Sequence, residues 1–158
     1  MVCRTWHGWS VNVTSLVGLA VAGVVLAAAT GFGLWRGRRE GRVRAVSGQV
    51  AGERLLAGLG VEAGTPATLL QFSSAFCAPC RATRVSCARL AAEQAGVRHV
   101  EVDAESHLDA VRALGVWRTP TVFVVDADGR IVARVTGQPT IGQLREAAIP
   151  LLQQEVRS

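Results

Sequence analysis

The sequence has no lysine and no tyrosine, a single methionine, and aromatic residues at only 5%. Without lysine there is no P-loop NTPase, no Schiff-base enzyme and no kinase site built on a lysine. Charged residues fill 18% of the 158 positions, 49% are apolar and mean hydropathy is positive, which excludes a wholly disordered chain. The length admits one compact domain plus an appendage. The soluble part also lacks net charge. Arg4, Arg36, Arg38, Arg39, Arg42 and Arg44 against Glu40 account for the whole formal charge of +5, and residues 46–158 sum to zero. No nucleic-acid partner is expected from such a distribution.

A long uncharged stretch is present instead. No charged side chain lies between His7 and Arg36, and Leu16–Trp35 is mostly Leu, Val, Ala and Gly. A helix of that length spans about 30 Å, the thickness of the hydrocarbon layer. Trp6 and Trp9 precede it and Trp35 ends it, where interfacial indoles belong. A buried core helix would have to be apolar on every side in a very small protein. A cleaved signal peptide would find small residues at Ala27-Ala28-Ala29, but signal peptides carry positive charge before the apolar run, and here the arginines follow it. The expectation is a single-pass membrane protein: a short tail 1–12, a transmembrane helix 13–35, a basic juxtamembrane linker 36–50 and a soluble domain 51–158. Arg36 to Arg44 orient the helix with the domain in the cytoplasm, and they suit anionic lipid head groups of the bilayer. An extracytoplasmic domain is the alternative.

Within the soluble part, a short helix is expected at Glu53–Leu59. Ala67–Phe72 is an apolar run fit for a buried strand. Pro79–Ala95 contains no glycine and reads as a helix stopped by Gly96. Arg98–Asp103 alternates, Val100 and Val102 facing one way and His99, Glu101 and Asp103 the other. Ser106–Leu114 reads as a helix with Ser106 as N-cap and Gly115 as its stop. Thr121–Asp126 and Ile131–Thr136 are strands joined by Ala127-Asp128-Gly129-Arg130. Thr140 opens a last helix, which Pro150 is expected to end or kink, leaving Leu151–Ser158 frayed. This order predicts an α/β sandwich with a mixed sheet flanked by helices.

Chemistry concentrates at Cys77-Ala78-Pro79-Cys80, after the first of these strands and at the start of the long helix. Unpaired N–H groups and the partial positive charge of a helix N-terminus stabilise a thiolate. Cys77 at the helix mouth is thus the candidate nucleophile, and Cys80, one turn in, the resolving thiol. Pro79 suits a first helical turn and stiffens the pair. Arg81 and Arg84 read as solvated helix charges, or as added support for the thiolate. A C-x-x-C pair alone fits zinc, a structural disulfide or redox chemistry. Zinc needs four ligands, and the remaining candidates, Cys87, His99 and His107, do not repeat the pair spacing, so no metal is expected. Cys87 reads as a small buried apolar residue. Cys3 receives no role.

Far along the chain, Arg118-Thr119-Pro120-Thr121 precedes a strand. Together with Thr68–Arg81, Val100–Asp103, Gly115–Val125, Asp128-Gly129 and Gly137, it makes residues 46–150 resemble the thioredoxin family. The resemblance implies a thioredoxin-like fold. It implies that Cys77 and Cys80 form a redox-active disulfide and that Pro120 is a cis-proline beside it. It further implies that Thr119 and Gly137 border the groove for an extended substrate, with Phe76, Ala78 and Pro79 on the same surface. Phe76 stands where the family commonly has tryptophan. Family members usually carry a buried aspartate where this chain has Gln71, which does not titrate, and a lysine where it has His99. Proton transfer at Cys80 then falls to water, His99 or a substrate thiolate.

The implied activity is that of a membrane-anchored dithiol–disulfide oxidoreductase working as a reductase. Disulfide-containing client proteins and a separate reductase or electron donor are its expected partners. No G-x-G-x-x-G follows a strand, so no nucleotide or flavin cofactor is expected beyond the disulfide itself. The alternatives are the same fold outside the membrane, serving cytochrome maturation or disulfide exchange, and a non-catalytic docking module.

Overall fold

The computed structural model describes residues 13–39, 43–50 and 52–155. The expected tail 1–12, with Cys3, Trp6 and Trp9, lies outside them. The chain divides into two units, one ending at Arg39 and one beginning at Glu40.

The first unit contains helix α1, Val13–Arg39. Its stretch Leu16–Trp35 is long and apolar enough to cross a membrane, and none of it is buried. An unburied helix that is apolar all round is not the core helix of a small soluble protein. Length and composition suit a membrane span or a signal sequence. Within it the Thr30 hydroxyl donates to the Leu26 carbonyl at 2.7 Å, so this polar group is satisfied by its own helix.

The second unit is a five-stranded sheet between two layers of helix. Its elements are β1 (Val43–Val50), α2 (Glu53–Gly58), β2 (Ala67–Ser73), α3 (Ala78–Glu93), β3 (Val97–Asp103), α4 (Leu108–Ala113), β4 (Thr121–Asp126), β5 (Arg130–Thr136) and α5 (Ile141–Glu155). The strand order is β1-β5-β4-β2-β3. β2 and β3 run parallel and every other pair is antiparallel, so the sheet is mixed, as expected.

Strand parity divides the core. On β2, Ala67 and Leu69 join Val122, Val124, Leu90, Leu144 and Ala148 beneath α3 and α5. Leu70 and Phe72 point the opposite way and join Leu56, Ala110, Leu114 and Phe123 under α2 and α4. Phe72 and Phe123 meet edge to face, with ring centroids 5.9 Å apart. A bulge opposite Val124 and Val125 lets Ile131 and Ala133 face opposite layers although they are two residues apart. Gly96, after α3, has φ of +85°, and a Cβ there would lie 3.0 Å from Leu152 and 3.2 Å from Pro66. Glycine is required at this turn.

The structure departs from the sequence expectations at three points. β1 lies in the stretch 36–50 expected as linker: it covers the edge of β5, Val43 opposite Val135 and Val50 opposite Arg130. α4 begins at Leu108, with His107 rather than Ser106 at its N-cap. The Ser106 hydroxyl is engaged instead by the Asp103 carboxylate. Pro150 does not end α5, which continues to Glu155. Leu151 and Leu152 pack against the core under α3 and α5, and that burial carries the helix past the missing N–H.

Candidate active site

β2 ends at Ser73 and the chain turns through Ser74-Ala75-Phe76 into α3. Cys77 is the N-cap of α3, and its Sγ accepts the backbone N–H of Cys80 at 3.1 Å. Cys77 and Cys80 are joined in a disulfide, with Cα atoms 5.2 Å apart. Cys77 is half-buried, whereas Cys80 is 2% exposed. The two cysteines thus differ in exposure, which is the asymmetry an attacking and a resolving thiol need.

The second loop comes from between α4 and β4. The Thr119–Pro120 peptide bond is cis, and Pro120 is buried. Ser74 and Thr119 place their hydroxyl oxygens 3.1 Å apart, tying the α3 entry loop to the proline loop. The Gly137 N–H donates to the Pro120 carbonyl at 2.8 Å, and Gly137 has φ of +90°, a conformation that favours glycine. Arg134 donates to the carbonyls of Leu114 and Gly115 and stacks on Phe123 with its guanidinium 5.2 Å from the ring centroid. That contact fixes the chain entering the proline loop. Thr121 closes its other end by donating to the Arg118 carbonyl at 2.8 Å. Phe76 is fully exposed, Ala78 and Pro79 are exposed, and Thr119 is half-buried. Trp117, which the sequence alone does not single out, is 91% exposed on this loop.

Behind Cys80 sits Gln71. Parity places it on the α3 side of β2 with Ala67 and Leu69, where its side chain is completely buried. Its Nε2 donates to the Cys80 carbonyl at 3.0 Å and its Oε1 lies 3.2 Å from His99 Nε2. A carbonyl only accepts, so the amide nitrogen must face Cys80. Oε1 therefore faces His99, which carries its proton on Nε2. Burial pushes the half-buried His99 imidazole below its ordinary pKa; the Glu101 carboxylate pulls it up and Arg84 pushes it further down.

His99, Glu101 and Asp103 alternate as expected but do not simply face solvent. Their strand pairs in parallel with β2, setting Glu101 opposite Gln71 and Asp103 opposite Ser73. Arg84 of α3 forms an ion pair with Glu101, and the Ser73 hydroxyl donates to the same carboxylate at 2.7 Å. Burial alone would raise the Glu101 pKa, but the Arg84 and Ser73 hydrogen bonds and the Arg84 charge outweigh it and hold the carboxyl below its usual range. Arg84 is therefore more than a solvated helix charge. Cys87 is free and fully buried, as expected, and burial first, with the Glu101 charge second, pushes its thiol up to about 12. Among the described residues, no group of three His, Cys, Asp or Glu side chains is placed to hold a metal ion.

Residues 61–148 match the family model described as a thioredoxin-like domain. No curated protein sequence matches the chain. Solved structures that resemble it include a thioredoxin mutant from Halobacterium salinarum at 20% identity and TM-score 0.53, covering 65% of this chain and 87% of that one. Oxidised mitochondrial thioredoxin 3 from Saccharomyces cerevisiae is 19% identical with TM-score 0.53, over 61% of this chain and 89% of its own. A thioredoxin from Trypanosoma brucei brucei is 21% identical with TM-score 0.50, over 72% and 93%. Identities this low establish the fold alone. A fold of this kind with Cys77 and Cys80 at disulfide distance suggests a thiol–disulfide oxidoreductase.

Proposed function

Because the chain belongs to the thioredoxin family, we propose that it is a membrane-anchored protein dithiol–disulfide oxidoreductase that reduces client disulfides. The observation that carries this reading is half-buried Cys77 at the mouth of α3, bonded to a buried Cys80. In the reduced enzyme the Cys80 N–H and the α3 N-terminus stabilise the Cys77 thiolate. That thiolate attacks one sulfur of a client disulfide. The client S–S bond breaks, one client sulfur leaves as a thiolate, and Cys77 is held in a mixed disulfide. Cys80 then attacks Cys77 Sγ, releasing the second client sulfur and closing the Cys77–Cys80 bond. The Cys80 proton passes to the departing client thiolate or to water. His99 meets Gln71 rather than sulfur and does not take the proton directly. The client lies extended across Phe76, Ala78 and Pro79, pairing with the backbone of Thr119 beside Pro120 and Gly137. A separate donor must then reduce the disulfide.

Helix α1 is the anchor in this reading, and Arg36 to Arg44 hold the catalytic domain on the cytoplasmic side. A reducing cytoplasm favours the reductase direction. Two experiments test the proposal. Full-length protein in detergent is expected to reduce insulin disulfides with dithiothreitol as electron source, and Cys77→Ser to abolish the rate; equal activity in both proteins would sink the enzyme reading. In intact cells an impermeant maleimide is expected to leave Cys77 unlabelled. Labelling there would move the domain to the opposite side of the membrane.

A further inference from the structure

A cleft of about 420 Å³ opens directly against the disulfide, lined by Cys77, Cys80, Arg81, Arg84, Glu101 and Asp103. Its volume falls within the range of small-molecule sites. Its lining is charged in both signs, and the charges are not all spent on one another. Arg84 and Glu101 neutralise each other in an ion pair that Ser73 reinforces. Asp103 accepts the Ser106 hydroxyl and the Glu105 N–H and feels the charge of His107, but it forms no ion pair among the described residues. Arg81, one position after Cys80 and exposed, has no side-chain partner among the described residues. The cleft thus offers one guanidinium and one carboxylate, neither held in an ion pair among the described residues, beside half-buried Cys77. That set matches a molecule carrying a carboxylate, an ammonium group and a thiol.

We propose that this cleft binds a low-molecular-weight amino-acid thiol and that this thiol is the electron donor that reopens the Cys77–Cys80 disulfide. The inference rests on the redox reading above and supplies the donor it leaves open. The ligand's carboxylate pairs with Arg81 and its ammonium with Asp103, which directs its thiolate at Cys77 Sγ. Attack there breaks the Cys77–Cys80 bond, forms a mixed disulfide on Cys77 and releases Cys80 as a thiolate that takes up the proton lost by the incoming thiol. A second molecule of the same thiol attacks the ligand sulfur of the mixed disulfide. Cys77 leaves as a thiolate and the two donor molecules leave as their disulfide, so two thiols supply the two electrons.

The test is the reduction rate of oxidised full-length protein in detergent, read by acid quench, alkylation and mass spectrometry. The thiols are L-cysteine, cysteamine, which lacks the carboxylate, and 2-mercaptoethanol, which lacks both charged groups, each rate being expressed per thiolate. Saturation with cysteine alone is expected, and S-methylcysteine, which has no free thiol, is expected to compete. Arg81→Gln is expected to lower the ratio of the cysteine rate to the 2-mercaptoethanol rate about fivefold, the effect of losing one partly screened ion pair. Taking the ratio cancels any general effect of Arg81 on the sulfurs. Linear dependence on cysteine, no competition by S-methylcysteine and an unchanged ratio in Arg81→Gln would overturn the inference. Dithiothreitol separates this failure from that of the underlying reading: if it opens the disulfide while cysteine shows no saturation, only the cleft assignment falls.

Discussion

Gln71 occupies the position where the family usually buries an aspartate, and replacing it separates a structural role from a proton-handling one. The side chain is fully buried and makes two hydrogen bonds, to the Cys80 carbonyl and with His99 Nε2. Gln71→Leu keeps most of the volume and removes both. Each bond contributes about 1 kcal/mol net, and about 1 kcal/mol returns because an amide no longer has to be desolvated. The Cys80 carbonyl keeps its place in the α3 ladder, and half-buried His99 can turn to water. The expected loss is therefore about 1 kcal/mol, or roughly 4 °C in the thermal midpoint of a domain this size. Gln71→Ala leaves a cavity as well and is expected to lose about 3 kcal/mol. Thermal unfolding of the oxidised protein in detergent, followed by near-UV circular dichroism, measures both. Insulin reduction by Gln71→Leu at neutral pH is expected within about twofold of wild type, since neither bond reaches a sulfur. A loss in Gln71→Leu equal to that in Gln71→Ala would refute the packing reasoning. A displaced pH profile of turnover would refute the assignment of Gln71 as a positioning residue outside the proton path.

Cys87, raised to about 12, should resist iodoacetamide at pH 8 in the folded protein and react when denaturant opens the domain, because only about one thiol in ten thousand is ionised there; rapid native-state alkylation would show that the burial is wrong. His99 is held below its ordinary pKa, so the unfolded chain binds the extra proton first. Its contribution to stability is complete above about pH 6.5 and is lost as pH falls from there toward the depressed folded value, which a pH series of unfolding midpoints checks. Arg84→Gln is expected to raise the His99 pKa and Glu101→Gln to lower it further, both readable by NMR titration of the imidazole; the opposite order would mean that burial is not moderated by these two charges. Leu144→Ala, fully buried between α5 and the sheet, should lower stability by about 3 kcal/mol without altering which thiols alkylate in the reduced protein, as thermal melts and alkylation mapping would register.

Much of this was legible in the residues because the local signals were strong and agreed with one another. β4 was expected at Thr121–Asp126 and lies there, since an apolar β-branched run ends at an Asp-x-x-Gly turn. α3 was visible from its glycine-free stretch and the proline in its first turn. What failed was information held by partners. Nothing in Val43–Val50 taken alone marks it as a strand; it becomes one because β5 presents an open edge. Pro150 is a helix breaker by local rules, and only the burial of Leu151 and Leu152 overrides them. Ser106 is an ordinary N-cap by type, but a carboxylate three residues earlier takes its hydroxyl first.

The site divides along the same line. Cys77 and Cys80 are marked by their spacing, and they and Pro120 by the family resemblance, whereas the groups around them come from a strand register. The parallel pairing of β2 with β3 sets Glu101 opposite Gln71 and Asp103 opposite Ser73, which carries the alternating acids toward α3 and Arg84. A sequence shows that His99, Glu101 and Asp103 share a face; it does not show that this face is roofed by the helix bearing the thiols. Once it is, a titratable aspartate behind Cys80 is replaced by an amide that fixes a histidine tautomer, and the charges move to the cleft beside the disulfide. With no titratable group hydrogen-bonded behind Cys80 other than through that amide, the proposed thiol donor would have to bring its own charged groups to Arg81 and Asp103.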